Sequence, residues 1–139
     1  MKKVEVADLS GAGLDWAVCM VNGLKPADIY ISNLGKNHTS LYRRCRDEDG
    51  DLTGSYMTGP DLLFSRKWEA MGPIIEREGL SLHQEKDTTG WKHTNTHRWW
   101  SQADGRVFTG YGATPLIAAA RCYVASKLGD EVEVPEELT

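Results

Sequence analysis

Residues 104–129 leave the chain little freedom in how it folds. Asp104-Gly105 signals a two-residue hairpin turn, because both central positions of such a turn need φ > 0. A short run, Arg106-Val107-Phe108-Thr109, follows, then Gly110-Tyr111-Gly112-Ala113 and Thr114-Pro115-Leu116. Thr114 offers a hydroxyl to cap orphan N–H groups, and Pro115 arrives with its φ already helical. From there Leu116, Ala119, Ala120, Tyr123, Val124 and Leu128 recur with the period of an amphipathic helix, and Gly129 offers a stop. The expectation is a hairpin strand that feeds a glycine-containing loop, which opens a capped helix.

The remaining chain reads as an α+β fold. Ser10 is placed to cap a helix over 11–22, with Gly23 ending it and Leu14, Ala17, Val18 and Val21 on its apolar stripe. Trp16 widens that stripe as a core anchor. Residues 28–32 form a short strand, and 39–46 pairs with 51–57 as a hairpin around Asp47-Glu48-Asp49-Gly50. Ser65 is expected to cap a second helical segment containing Trp68, Met71, Ile74 and Ile75. Gly72-Pro73 should interrupt it, because proline removes a helical bond and clashes with the preceding turn; the helix then resumes over 73–78 and stops at Gly79. Strands are expected over 81–86 and 91–100, the latter pairing with 106–111 through the Asp104-Gly105 turn.

Charge is distributed unevenly along the 139 residues, which suffice for one domain with a real core. The net charge is −4, yet residues 130–139 hold five acids and no base, so the body is close to neutral. The domain is therefore drawn over 1–134, with 135–139 as an acidic, solvated tail. A neutral body argues against duplex DNA as a partner, since such proteins need a strongly basic face. Cys19, Cys45 and Cys122 are odd in number and at no metal spacing, which suits a reducing cytoplasm. The longest apolar run falls far short of the roughly 20 residues of a membrane-spanning helix.

The best candidate site is the loop 110–114, where backbone N–H groups of Ala113 and Thr114 and the positive end of a helix dipole would meet an anion. With a two-residue turn, Arg98 faces Tyr111 and Trp100 faces Thr109 on one side of the strand pair. Trp91, His93, Asn95, His97, Trp99, Arg106 and Phe108 take the other side. Arg98, Trp99, Trp100, Arg106, Tyr111, Ala113 and Thr114 together suit a nucleotide, with aromatic rings for a base and charge for a phosphate. The plainer account is that Thr114 only caps, the glycines only turn the chain and most tryptophans are core. Two further patterns carry less. Asp47, Asp49 and Asp51 invite calcium, but Gly50 comes one place early for an EF-hand and Thr58 stands where Glu belongs. Neighbouring Arg43, Arg44 and Arg46 either balance these acids or face a phosphate. His83, His93 and His97 invite zinc, but no cysteine is near and the region reads as strand. No nucleophile elbow, Cys–His pair or P-loop is present, so the sequence shows no catalytic constellation and calls for no cofactor.

Three blocks carry a resemblance: residues 10–18 (SGAGLDWAV), 72–79 (GPIIEREG) and 114–132 (TPLIAAARCYVASKLGDEV). They are similar to the NinX-like family of small tailed-phage proteins, and their order resembles the phage domain called the ABA sandwich. The resemblance implies a phage origin and an antiparallel sheet between helices, an α/β/α arrangement with the C-terminal helix following a hairpin. It implies no activity, because that family is one of unknown function. Two functions are then in view. One is a protein that binds and sequesters a small anionic ligand, such as a host immune-signalling nucleotide. The other is an interaction module that inhibits or redirects a host protein through the acidic tail or the 36–58 hairpin. Five tryptophans and five tyrosines exceed what one small core needs, which favours a homodimer or larger closed assembly.

Overall fold

A computed structural model describes residues 1–33, 39–57, 62–84, 99–103 and 109–139. In chain order its elements are β1 (Lys2–Glu5), α1 (Gly11–Val21), β2 (Ile29–Asn33), β3 (Thr39–Arg46), β4 (Leu52–Tyr56), α2 (Trp68–Glu78), β5 (His83–Gln84), β6 (Trp99–Gln102), β7 (Thr109–Gly112), α3 (Pro115–Leu128) and β8 (Glu131–Val134). This is the expected α+β class, with the last helix following a pair of antiparallel strands. The described strands do not make one sheet between helices. They divide over three small antiparallel sheets, β1–β8, β2–β3–β4 and β5–β6–β7.

The last helix, α3, is the centre of the molecule. Leu116, Ala118, Ala119, Ala120, Cys122, Tyr123, Val124 and Ala125 are all buried, so most of its circumference lies inside. A helix apolar nearly all round can only be a core helix. It packs on α1, α2, β6, β7 and β8. Its alanines let neighbours come close, and Tyr123 ties three helices together: its hydroxyl donates to Asn22 Oδ1 at 2.8 Å and accepts from Arg77 at 3.0 Å.

Closest of all is the approach of α3 to β7. Gly110 and Gly112 lie within this strand, not in a loop, and neither has a positive φ. A Cβ on Gly110 would overlap the Ala118 carbonyl oxygen and the Cys122 backbone nitrogen. One on Gly112 would fall 2.7 Å from Ile117 Cγ2 and 2.8 Å from the Ala118 nitrogen. The glycines are there because helix backbone lies directly on strand backbone.

This seam also explains a corrected register. A two-residue Asp104-Gly105 turn pairs Trp100 with Thr109, whereas the structure pairs Trp100 with Tyr111, Ser101 with Gly110 and Gln102 with Thr109. The shift is two residues, so every side chain keeps its expected face. Alternation specifies parity alone. What favours the observed pairing is size: it sets buried Ser101, rather than Trp99, opposite Gly110, where α3 presses nearest. The Asp104-Gly105 turn itself, and residues 91–98 and 106–108, lie outside the described residues.

Two other elements differ from expectation. Helix α2 runs unbroken through Pro73, and Lys67 rather than Ser65 is its N-cap residue. Pro73 is the sixth helical residue, so the carbonyl it leaves without a helical donor belongs to exposed Glu69 in the first turn. Buried Met71 and Ile74 hold the helix across that gap. Gly79 closes it with φ 65°. The acidic segment after α3 is likewise part of the fold: β8 pairs with β1, Val132 and Val134 are buried, and Glu131 and Glu133 point outward. Beyond it Glu136–Leu138 forms a 3-10 turn, and the Leu138 carbonyl oxygen would stand 2.8 Å from a Cβ on Gly13 of α1.

Replacing Gly110 by Ala should therefore cost at least about 1–3 kcal/mol, because rigid backbone, not a flexible side chain, blocks the methyl group. Gly72→Ala in α2 is the matched control. Nothing lies within 4 Å of its added Cβ, and it should be neutral or stabilise by up to about 1 kcal/mol. Thermal melts of the two variants check this; equal effects would contradict the seam.

Candidate functional site

The β5–β6–β7 sheet has two unlike faces. Trp99, Ser101, Gly110 and Gly112 turn towards α3, where fully buried Ser101 neighbours the Cys122 thiol. Burial raises the pKa of that thiol. On the outward face the His83 and Trp100 rings stack with centroids 3.9 Å apart and planes 18° from parallel. Tyr111 stands opposite Trp100 and is 51% exposed. The structure thus brings Trp100 and Tyr111 together on an open face, with Thr109 beside them, and sets half-buried Trp99 behind them. His83 takes part as an aromatic ring, while His93, His97, Arg98 and Arg106 lie outside the described residues.

Just beyond this face the chain enters α3. Ala113 is exposed, and Thr114 caps the helix by accepting the Ile117 N–H at 3.2 Å. So the capping role expected for Thr114 is met, and its hydroxyl takes up one of the N–H groups that an anion would use. Arg121 was not among the candidates. One turn and a half into α3, its Nε donates to the Leu9 carbonyl oxygen at 2.9 Å and a terminal nitrogen donates to that of Tyr111 at 2.7 Å. Partial burial lowers its pKa, opposed by the Asp8 carboxylate. It fixes the backbone under the Tyr111 ring. The available signal was an arginine set between buried Ala120 and Cys122. Beside Tyr111 opens a cleft of about 690 Å³, whose walls include Val6, Ala125 and Arg121 and whose rim carries Glu5, Asp130 and Glu131. Those carboxylates make this side of Tyr111 unsuited to an anion.

Among the described residues no hairpin arginine is paired with Asp47, Asp49 or Asp51. Arg46 pairs with Asp28, which it holds below the usual carboxylate range, and donates to the Gly50 carbonyl oxygen at 2.6 Å. In the turn, Asp47 Oδ1 accepts the N–H groups of Asp49 and Asp51 at 3.0 and 2.9 Å, so this carboxylate organises the turn itself. Arg43 and Arg44 are engaged with no carboxylate among the described residues.

A further ionisable group lies inside. Asp15 sits on α1 on the same side as Val18 and Cys19 and is fully buried, a position that a hydrophobic stripe would give to an apolar residue. Its Oδ1 accepts the Ser65 N–H at 2.8 Å, which fastens the segment carrying buried Leu62 and Phe64 to α1. Oδ2 lies 3.9 Å from Arg66 and has no hydrogen-bond partner among the described residues. Burial raises this carboxyl from 3.8 to about 6, against the lowering effects of Ser65 and Arg66. A folded form that holds its proton more tightly than the unfolded chain gains stability as the pH falls through about 6 towards 4. Asp15→Asn keeps an acceptor for Ser65 and removes the titration. Between pH 8 and pH 4 the stability difference between wild type and variant should move by about 2 kcal/mol in favour of the wild type. Denaturant melts at both pH values measure it, and a pH-independent difference would contradict the assignment.

Residues 5–127 match a family of phage proteins described as Bacteriophage P22, NinX. No curated protein matches the chain.

Proposed function

The chain belongs to the NinX family of phage proteins, and on that premise we propose that it is an accessory protein that binds and sequesters a small ligand with a planar base and an anionic group. A host immune-signalling nucleotide has this chemistry, and the host cytoplasm is where such a protein would meet it. The observation that supports the reading is the outward aromatic row, Trp100 stacked on His83 with exposed Tyr111 opposite, at the entrance to α3. Stacking a base on such a ring contributes about 1–3 kcal/mol. Glu5, Asp130 and Glu131 repel an anion from the far side of Tyr111, leaving the start of α3 for the phosphate. There the helix dipole and the N–H groups next to Ala113 and Thr114 favour negative charge, and Arg98 and Arg106 would add to it.

Titration with cyclic dinucleotides and ADP-ribose derivatives tests this. Arg98→Ala and Arg106→Ala should each weaken binding by about one to two powers of ten, the worth of a charged hydrogen bond. Thr114→Ala should lower stability by about 1 kcal/mol with no selective loss of affinity. Light scattering should find a homodimer or larger closed assembly. If no compound of the panel binds at micromolar concentration, the host-protein interaction module takes the place of this reading.

A further inference from the structure

Strands β1 and β8 meet in an electrostatic conflict. Their register sets Glu5 directly opposite Glu131, on the face turned away from buried Val132 and Val134. Like charges in that position destabilise a strand pair. Asp130, next in the chain, adds a third carboxylate, and its carbonyl oxygen accepts the Val6 N–H at 2.8 Å, which holds these strand ends together. Of the three acids Glu131 alone has an ion-pair partner among the described residues, Lys3 at 3.7 Å. Both side chains of that pair are more than half exposed, so water screens it and it offsets little of the repulsion.

By themselves these acids would be an ordinary solvated patch. Behind them, however, lies the cleft of about 690 Å³ beside Tyr111, and its lining is of another kind. Buried Val6 and Ala125 make an apolar wall, and half-exposed Tyr111 offers a ring. Arg121 also lines the cleft, but its Nε and a terminal nitrogen are spent on the carbonyl oxygens of Leu9 and Tyr111. Its charge is offset by Asp8, which stands outside the cleft. Among the described lining residues, three acids thus face one base that is already engaged.

We propose that this cleft binds a linear polyamine, an aliphatic chain that carries two or more ammonium groups. Its methylene stem lies along the apolar wall, as the stem of a lysine does on an apolar surface. One ammonium group sits between Glu5 and Glu131, where it relieves their repulsion, and another meets Asp130 or the face of the Tyr111 ring. A ligand with several charges matches the excess of carboxylates, whereas one lysine side chain of a partner protein would leave part of it unmatched. The cleft is also of the size that holds a small molecule. The proposal does not rest on the reading given for the β6–β7 face, whose anion these carboxylates repel.

The triamine spermidine is the probe, titrated calorimetrically into the full chain at about 0.15 M salt, where diffuse attraction between exposed charges is screened. It should bind with a dissociation constant below about 1 mM and raise the melting temperature. Glu5→Gln and Asp130→Asn should each weaken binding about fivefold, and Tyr111→Leu about threefold. Glu5→Gln should do so without lowering the melting temperature of the free protein, because it removes a repulsion. Two variants should bind as wild type does: Glu48→Gln, which removes the same charge at the exposed tip of the β3–β4 hairpin, and Arg98→Ala, on which the nucleotide reading relies. Absence of binding at millimolar spermidine overturns the proposal. So does an equal loss in Glu48→Gln and Glu5→Gln, which would mean attraction to the net charge alone. If N-acetyl-lysine amide, with its single ammonium group, binds as tightly as spermidine, the polyamine is likewise overturned and a basic protein segment takes its place.

Discussion

Everything else in this fold hangs on the direct contact of the α3 backbone with the β7 backbone. Two missing Cβ atoms, at Gly110 and Gly112, let the helix backbone meet the strand backbone, with the Ile117 side chain lying against Gly112. Because that contact is so close, α3 becomes a helix with neighbours on nearly every side, and small residues must face the seam. Ser101 opposite Gly110 and Ala118 on α3 meet that condition. A packed interior allows little adjustment, so the seam also decides which way β6 and β7 face. Trp99 is turned in, and Trp100 and Tyr111 are turned out. The aromatic row at the candidate site is thus a consequence of how tightly the opposite face is packed.

The β5–β6–β7 and β2–β3–β4 sheets differ in the electrostatics of their outward faces. At the β6–β7 face the described side chains supply aromatic area, and favourable charge comes from the start of α3, with carboxylates closing off the other side of Tyr111. On the β2–β3–β4 sheet the side chains themselves carry the charge, Arg44 over Tyr30 on the outward face and Arg43 on the side of α1. Both sheets have their other face fastened to a core helix, α3 in one case and α1 in the other. Rigid elements hold recognition groups more reproducibly than loops do.

What could be read in the sequence was what local chemistry determines. The helices at 11–21 and 115–128, the strand after Asp28 and the hairpin over 39–56 all announce themselves through caps, period and turn residues. Thr114 caps as its position suggests. Contacts between distant segments could not be read in this way. The β1–β8 pair joins segments far apart in the chain, and no cap, turn or period announces the short strand that buries Val132 and Val134. Pro73 argued for a break because the penalty is local, while the packing that carries α2 across it is not. Gly110 and Gly112 read as loop residues, since a glycine that admits a neighbouring backbone looks the same in sequence as one that bends the chain. For the site, the aromatic pair was legible through strand alternation, whereas Arg121 and Asp15 act on segments more than 45 residues away and left no local pattern.

The seam can be observed directly by nuclear Overhauser spectroscopy on the isotope-labelled protein. The α-protons of Gly110 should show strong cross-peaks to the Cys122 backbone amide and α-protons, and those of Gly112 to the Ile117 γ2-methyl group. If those cross-peaks are missing and Gly110 shows only contacts to its neighbours along the chain, α3 does not rest on β7 and the account of this fold is wrong.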